Sequence, residues 1–237
     1  MSIKNKKVLA ITLARGGSKG IKKKNLRKIA GQPLINYTIN EAFKSIFIDR
    51  YIVSTDDKEI RNYCLNRNVD VPFLRPSHLA SDIASSTDAL QHAVNFCEKE
   101  DGEYDIIVEL MCTNPFKTFK DIDNSIEMLL NKNADSVIGV SKVEEYHPAR
   151  LKKIIKGKIF DFCVPEESGR RQDLKPAAFI RNGSIYTLKR NYLMVDNKRF
   201  GGNNSYAYLM PHEKSINIDS EHDLIVANSI ILEKNEK

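Results

Sequence analysis

The stretch KVLAITLARGGSKGIKKKNLRKIAG, residues 7–31, decides how the rest of the chain is read. Lys7 to Ala14 reads as a buried strand, because its apolar run is short and continuous. Small residues follow at Gly16, Gly17, Ser18 and Gly20, together with seven basic side chains between Arg15 and Lys28 and no acid. In an open α/β sheet, ligands sit at the carboxyl ends of strands. A glycine-rich turn of backbone N–H groups ringed by cations suits a compact polyanion such as a triphosphate. The alternative is a solvated basic turn that serves only solubility. The strand before the loop and the helix expected after it argue against that. The spacing fits neither G-x-x-x-x-G-K-[ST] nor G-x-G-x-x-G, which counts against a Walker-type site and an NAD-dependent oxidoreductase.

Outward from this loop, apolar residues at Leu34, Ile35, Ile39, Ala42, Phe43 and Ile46 have helical spacing after Pro33. RYIVSTDD (50–57) reads as a strand ending in a polar turn, residues 58–68 as a helix and 69–76 as an extended piece. A helix capped by Ser86 or Thr87 runs to about Lys99. YDIIVELMC (104–112) is a buried strand, 119–131 a helix and 134–143 a further strand. Four alternations of strand and helix predict a mostly parallel sheet flanked by helices. The pattern breaks near Glu144. Residues 144–206 are expected to form an inserted β-rich excursion, with AAFIRNGSIYTL (177–188) as its firmest strand. The nucleotide-binding α/β domain is then 1–143 plus 207–237. It closes with a strand near 215–219 and a C-terminal helix capped by Ser220 and Asp223.

The 237-residue chain has a net charge of +6 and a pI near 9.0. The first 40 residues hold ten of the 37 Lys and Arg and no acid, leaving 27 basic against 31 acidic elsewhere. This is a focused patch rather than a stripe, which disfavours nucleic acid as the partner. No apolar run of membrane-spanning length occurs, and the N-terminus lacks the pattern of a signal peptide. Cys64, Cys97, Cys112 and Cys163 have no regular spacing and read as reduced core thiols of a cytoplasmic protein.

LARGGSKGIKKKNL resembles the N-terminal motif of the acylneuraminate (sialic acid) cytidylyltransferases, L-A-R-x-x-S-K-G followed by K-N-L. IVSTDD (52–57), LRPSHLASDIASS (74–86), YHP (146–148), RRQDLKPAAFIRNGSIY (170–186) and SINIDSEHDL (215–224) look like later motifs of that family, in order. The resemblance implies a Rossmann-like nucleotide-diphospho-sugar transferase fold. The implied reaction joins CTP to a sialic-acid-like 2-keto-3-deoxy sugar acid, giving a CMP-sugar and pyrophosphate, with Mg²⁺ or Mn²⁺, in a homodimer whose excursion helps close the partner's sugar site.

Residue by residue, the resemblance assigns Arg15, Ser18, Lys19 and Lys24 to the triphosphate, with Arg15 and Lys24 as catalytic cations. Asn25 approaches the ribose or α-phosphate, and Arg75 and Ser86 the cytosine. Arg75 could instead form a surface salt bridge, and Ser86 could merely cap its helix. Arg150, Arg171, Gln172 and Asn182 fall on the sugar side. His147 reads as structural and Tyr186 as core. Asp219 and Asn217 are assigned to the metal, with a helix-cap role the alternative for Asp219.

Two departures matter. Asn217 stands where the family usually has an aspartate, and LMCTNPFKT (110–118) stands where it commonly has LQPTSPLRT. The second change, at a strand end that borders the sugar, leaves open legionaminic, pseudaminic or amino-octulosonic acids as the acceptor. A nucleotidyltransferase for another sugar or base, and a basic nucleic-acid-binding protein, remain the competing readings.

Overall fold

The computed structural model describes residues 5–143, 145–166, 169–170 and 173–235. Strand β1 (Val8–Leu13) runs into the glycine loop, a short 3-10 turn and the two-residue strands β2 (Lys28–Ile29) and β3 (Gln32–Pro33). Helix α1 (Leu34–Lys44) leads to β4 (Arg50–Ser54) and α2 (Lys58–Leu65). Then follow α3 (Ser86–Asp101), β5 (Ile106–Leu110), α4 (Phe119–Asn131) and β6 (Ser136–Val143). A hairpin of β7 (Lys152–Ile155) and β8 (Lys158–Asp161) precedes β9 (Ala178–Lys189), α5 (Arg190–Met194), β10 (Ser205–Leu209) and α6 (Glu221–Asn235).

Six strands form one sheet in the order β10-β6-β9-β5-β1-β4. β4 and β5 flank β1 in parallel and β10 lies parallel to β6, while β9 is antiparallel to both neighbours. The side-chain alternation of β1 explains the layers. Val8 and Ala10 pack with α1, α2 and α4 on one face, and Leu9 and Ile11 with α3 and α5 on the other. The chain leaves β1 toward β4 and returns across it to β5, so the connections diverge between β1 and β5. That is the switch point where α/β sheets bind ligands.

The mostly parallel sheet flanked by helices follows the sequence pattern, with three differences. β9, which takes in most of the stretch 177–188 read as the firmest strand of the excursion, lies inside the main sheet between β5 and β6. The hairpin and its flanks lie off this sheet while β9 and β10 belong to it, so the boundary at 206 falls too late. The reason is that β9 buries Ser184 to Leu188 as a central strand, whereas every residue of β7 and β8 is exposed. Residues 215–219 form no strand: the segment crosses the sheet end and buries Ile218 under α6. Finally, Cys163 is an exposed thiol, while the other three cysteines are buried. Among the described residues, no helix is long and apolar enough to cross a membrane.

Candidate active site

A cleft of about 330 Å³ opens at the carboxyl ends of β1 and β5. Arg15, Ser18, Lys24, Asn25, Arg75 and Ser86 line it, along with Asp82, Glu109, Met111, Cys112 and Thr113. Of the seven expected nucleotide residues, only Lys19 lies outside this wall, and its Nζ is 2.9 Å from Asp82. A larger and mostly apolar cavity of about 780 Å³ lies between Lys142, Val143, Glu145 and Tyr146 on one side and Leu209 to His212 on the other. None of the expected nucleotide-binding cations lines it.

The loop after β1 is held by the polar turn after β4. Asp56 accepts the Gly16 N–H at 3.0 Å, and Asp57 caps α2 by accepting from Glu59 and Ile60. The glycines at 16 and 20 are dictated by close approach. A Cβ at Gly16 would lie 2.6 Å from the Asp57 carboxylate, and one at Gly20 would lie 2.2 Å from the Asp219 carbonyl oxygen. The loop is therefore wedged between the turn after β4 and the 215–219 segment. Lys24 crosses the same gap and donates to Ile218 O at 3.0 Å and Asp219 Oδ1 at 2.8 Å.

Arg15 donates to Ser81 O and to Asp82 Oδ1 at 3.0 Å. The Lys19 ammonium, with Arg15, draws the Asp82 carboxyl below its ordinary pKa. Asn25 donates to Arg15 O at 3.0 Å and accepts from the Cys112 thiol at 2.9 Å. Burial raises that thiol's pKa and so favours its donor form.

Arg75 is not a surface salt bridge. It is 6% exposed and donates to Ser54 Oγ at 3.0 Å and to Ser54 O, while its own N–H bonds Thr55 O. Burial lowers its pKa. Ser85, not Ser86 or Thr87, caps α3, which frees the Ser86 hydroxyl from that task.

Sequence reasoning missed Glu109 and Arg199. Glu109 on β5 is 2% exposed and lines the cleft floor. Burial raises its pKa, opposed by Arg199 and Arg75. Arg199 Nε lies 2.5 Å from its Oε2, and the guanidinium stacks 4.3 Å from the centre of the Tyr186 ring. A lone acid in the apolar run IIVEL was the available signal. Its partner lies 90 residues away and carried none.

The acceptor-side residues are less gathered. Asn182 is buried and donates to Ser215 Oγ at 3.0 Å and to Met210 Sδ at 3.1 Å. The β6–β9 register shifts between Ile138 and Val140, and this irregularity sets Asn182 against Gly139. Such bulges recur beside active sites. Arg150 is half-exposed and sits 3.6 Å from Glu166. Arg171 and Gln172 lie outside the described residues. His147 is structural: its Nε2 bonds Pro176 O and its Nδ1 accepts from Ala149 N–H. Tyr186 is buried in the core. Asn217 donates to Asp219 Oδ2 at 2.5 Å, while its own Oδ1 is buried and unpartnered.

A glycine loop and three cations, Arg15, Lys24 and Arg75, at the switch point of a mostly parallel sheet define a nucleotidyltransferase-type site. The chain matches the family described as Cytidylyltransferase over residues 9–194. It is 31% identical over 232 residues to the post-translational flagellin modification protein B of Campylobacter coli, covering 96% of each chain. It is 33% identical to the N-acylneuraminate cytidylyltransferase of Streptococcus agalactiae, over 92% of this chain but 52% of that protein, so it spans about half of that relative. It is 28% identical to the pseudaminic acid cytidylyltransferase of Campylobacter jejuni, over 92% and 93%. A solved CMP:2-keto-3-deoxy-manno-octonic acid synthetase complexed with CTP superposes with a TM-score of 0.73 at 16% identity, covering 96% of this chain and 99% of that one. The chain is an enzyme of the cytidylyltransferase family, in the acylneuraminate group that the sequence motifs resemble.

Proposed function

We propose that this enzyme couples CTP to a sialic-acid-like 2-keto-3-deoxy sugar acid, releasing pyrophosphate. The observation that carries the reading is the convergence of Arg15, Ser18, Lys24, Asn25, Arg75 and Ser86 on one cleft. The triphosphate takes over the cations that Asp82 now neutralises, Arg15 and Lys19, while the loop amides and Ser18 bind phosphate oxygens. Arg15 and Lys24 then stabilise charge as the sugar hydroxyl attacks the α-phosphorus and pyrophosphate leaves. Asn25, oriented by Cys112 and Arg15 O, is held for the ribose or α-phosphate. Arg75 and Ser86 read the base. Arg150 and Asn182 serve the acceptor.

Asp219 and Asn217 would hold a divalent cation. The donor set fits Mg²⁺, which takes one or two carboxylates and fills its remaining sites with phosphate and water. Asp219 is 65% exposed and the Asn217 Oδ1 lacks a partner. Among the described residues no cluster of three His, Cys, Asp or Glu supplies a self-sufficient site. The metal's contribution is to neutralise the triphosphate charge.

The test is pyrophosphate release from CTP, ATP, GTP and UTP. Each is paired with N-acetylneuraminic, legionaminic, pseudaminic and amino-octulosonic acids. Turnover with CTP and at least one of these acids is expected; turnover only with another nucleotide, or with none of the acids, contradicts the reading. The exposed apolar residues Ile154, Ile159, Phe160 and Phe162 support a homodimer built on the β7–β8 hairpin. Sedimentation of a fully active monomer at assay concentration contradicts it.

A further inference from the structure

Lys117 is a buried cation that the reaction, as described, does not use. Its side chain lies in the loop between β5 and α4 and is 2% exposed. It has no carboxylate partner: Nζ donates to Met111 O at 2.8 Å, Asn114 O at 2.5 Å and Thr38 Oγ1 at 2.9 Å. Three donors meet three acceptors, so the ammonium is fully satisfied by neutral groups. The acids that face it, Glu41 and Asp121, act only at a distance and are bonded elsewhere. Glu41 bonds Lys44 and the Phe119 N–H, and Asp121 bonds Thr118, Tyr208 and Lys214. The remaining titratable neighbour is the Cys112 thiol. Burying an ammonium without an anion is costly, so its place needs a reason.

The loop it holds touches both halves of the site. Met111, Cys112 and Thr113 line the nucleotide cleft. Met111 N–H bonds Ser184 O, two residues from Asn182, and Thr113 O accepts from Ile218 N–H, beside Asp219. Cys112 in turn orients Asn25, which holds Arg15 O. The side chain of Asn114, which accepts from the Phe116 and Lys117 N–H groups, also donates to Lys214 O. The Lys117 bonds bracket the segment that joins these contacts.

We infer that Lys117 is a positioning residue. Its Nζ donors clamp the carbonyls of Met111 and Asn114, and thereby set the wall that Cys112 and Thr113 present to the nucleotide. The inference rests on the reading of this cleft as the CTP site.

The full chain is compared with K117M, which keeps the stem and removes the donors, and with K117R, which keeps donors. In K117M, KM for CTP should rise about tenfold, the scale of losing hydrogen bonds from a charged group. The change in kcat should stay below about threefold, because Arg15 and Lys24 stand on another element. K117R should recover most of the affinity. A readout independent of turnover is alkylation of Cys112 by N-ethylmaleimide, located by mass spectrometry, which should quicken severalfold in K117M. Wild-type KM and wild-type Cys112 reactivity in a folded K117M overturn the inference. Where K117M fails to fold, T38V, which removes one acceptor, should shift both readouts in the same direction, and no shift there overturns it. If the wild-type enzyme releases no pyrophosphate from CTP, the functional reading fails while Cys112 reactivity still decides the role of Lys117.

Discussion

The two halves of the site are built differently. At the half proposed for the nucleotide, side chains are tied to groups around the strand ends and to the 215–219 segment: Asn25 to Arg15 O and Cys112, Arg75 to Ser54, and Lys24 to Ile218 O and Asp219. At the acceptor half, Asn182 is buried, but Arg150 lies half-exposed beside Glu166 and the neighbouring hairpin buries nothing. A two-stranded hairpin is marginal by itself. The contrast teaches that one chain suffices to organise the cleft proposed for the triphosphate, because strand ends and turns supply rigid partners. The surface around the proposed acceptor side presents apolar side chains that one chain leaves in water.

The sharpest way to break this comparison is at the cleft floor. Arg199→Met leaves Glu109 buried without its partner and should destabilise the fold by about 3 kcal/mol or more, read by urea denaturation. Adding Glu109→Gln should recover a good part of that loss, since the double variant removes both charges. A loss under about 1 kcal/mol in the single variant would mean that Arg75 alone compensates the carboxylate.

Next in size are the cations proposed to meet the phosphates. Arg15→Ala and Lys24→Ala should each lose about 2 kcal/mol or more of transition-state stabilisation, measured as kcat/KM for CTP in folded protein. Unchanged turnover in both would remove the triphosphate assignment and with it the contrast between the halves.

A smaller effect separates Lys117 from its surroundings. Burial pulls its pKa down to about 7, against an ordinary lysine value of 10.5. Between those values the unfolded chain binds the proton that the folded chain has lost, so stability from this group rises with pH across roughly pH 7–10. Its slope is at most about 1.4 kcal/mol per pH unit. Below pH 7 both states carry the proton and the slope vanishes. K117M should flatten this limb in denaturation curves taken at several pH values; an identical limb in both proteins would assign it to other groups.

The smallest expected change sharpens the metal proposal. Asn217→Asp should lower the Mg²⁺ concentration giving half-maximal pyrophosphate release by a few fold, because a carboxylate replaces a neutral carbonyl. Asp219→Ala should damage the titration more than Asn217→Ala. A wild-type titration in Asp219→Ala would leave Asp219 with only structural contacts. The helix-capping pair itself is Ser220 with Asp223.

Much of the site was legible along the chain because its motifs are local. The glycine loop follows one strand, STDD follows another, and the arginine of LRPSHL returns to the second strand's end through a bond to Thr55 O. The capping pair Ser220–Asp223 and the span of α4 were likewise readable from spacing and polarity. The strand expected at 215–219 was not found, because alternating apolar residues there serve a crossing segment whose Ile218 is buried beneath α6. The excursion boundary failed for a related reason: β9 follows a polar, glycine-bearing stretch, and nothing in its own residues says that it will insert antiparallel between β5 and β6.

By itself, then, the sequence determined the alternating layers, the glycine-rich basic loop and the residue types proposed to meet the phosphates, since hydrophobic period and turn chemistry are properties of contiguous residues. Tertiary structure alone decided which cations face a common cleft, that Arg75 is buried rather than paired at the surface, and that Glu109 meets Arg199. It alone decided as well that Lys117 would spend its charge on carbonyls instead of an acid. Those outcomes depend on residues brought together by strand order, and the free energy of a buried charge is set by whatever the fold places within a few ångströms of it.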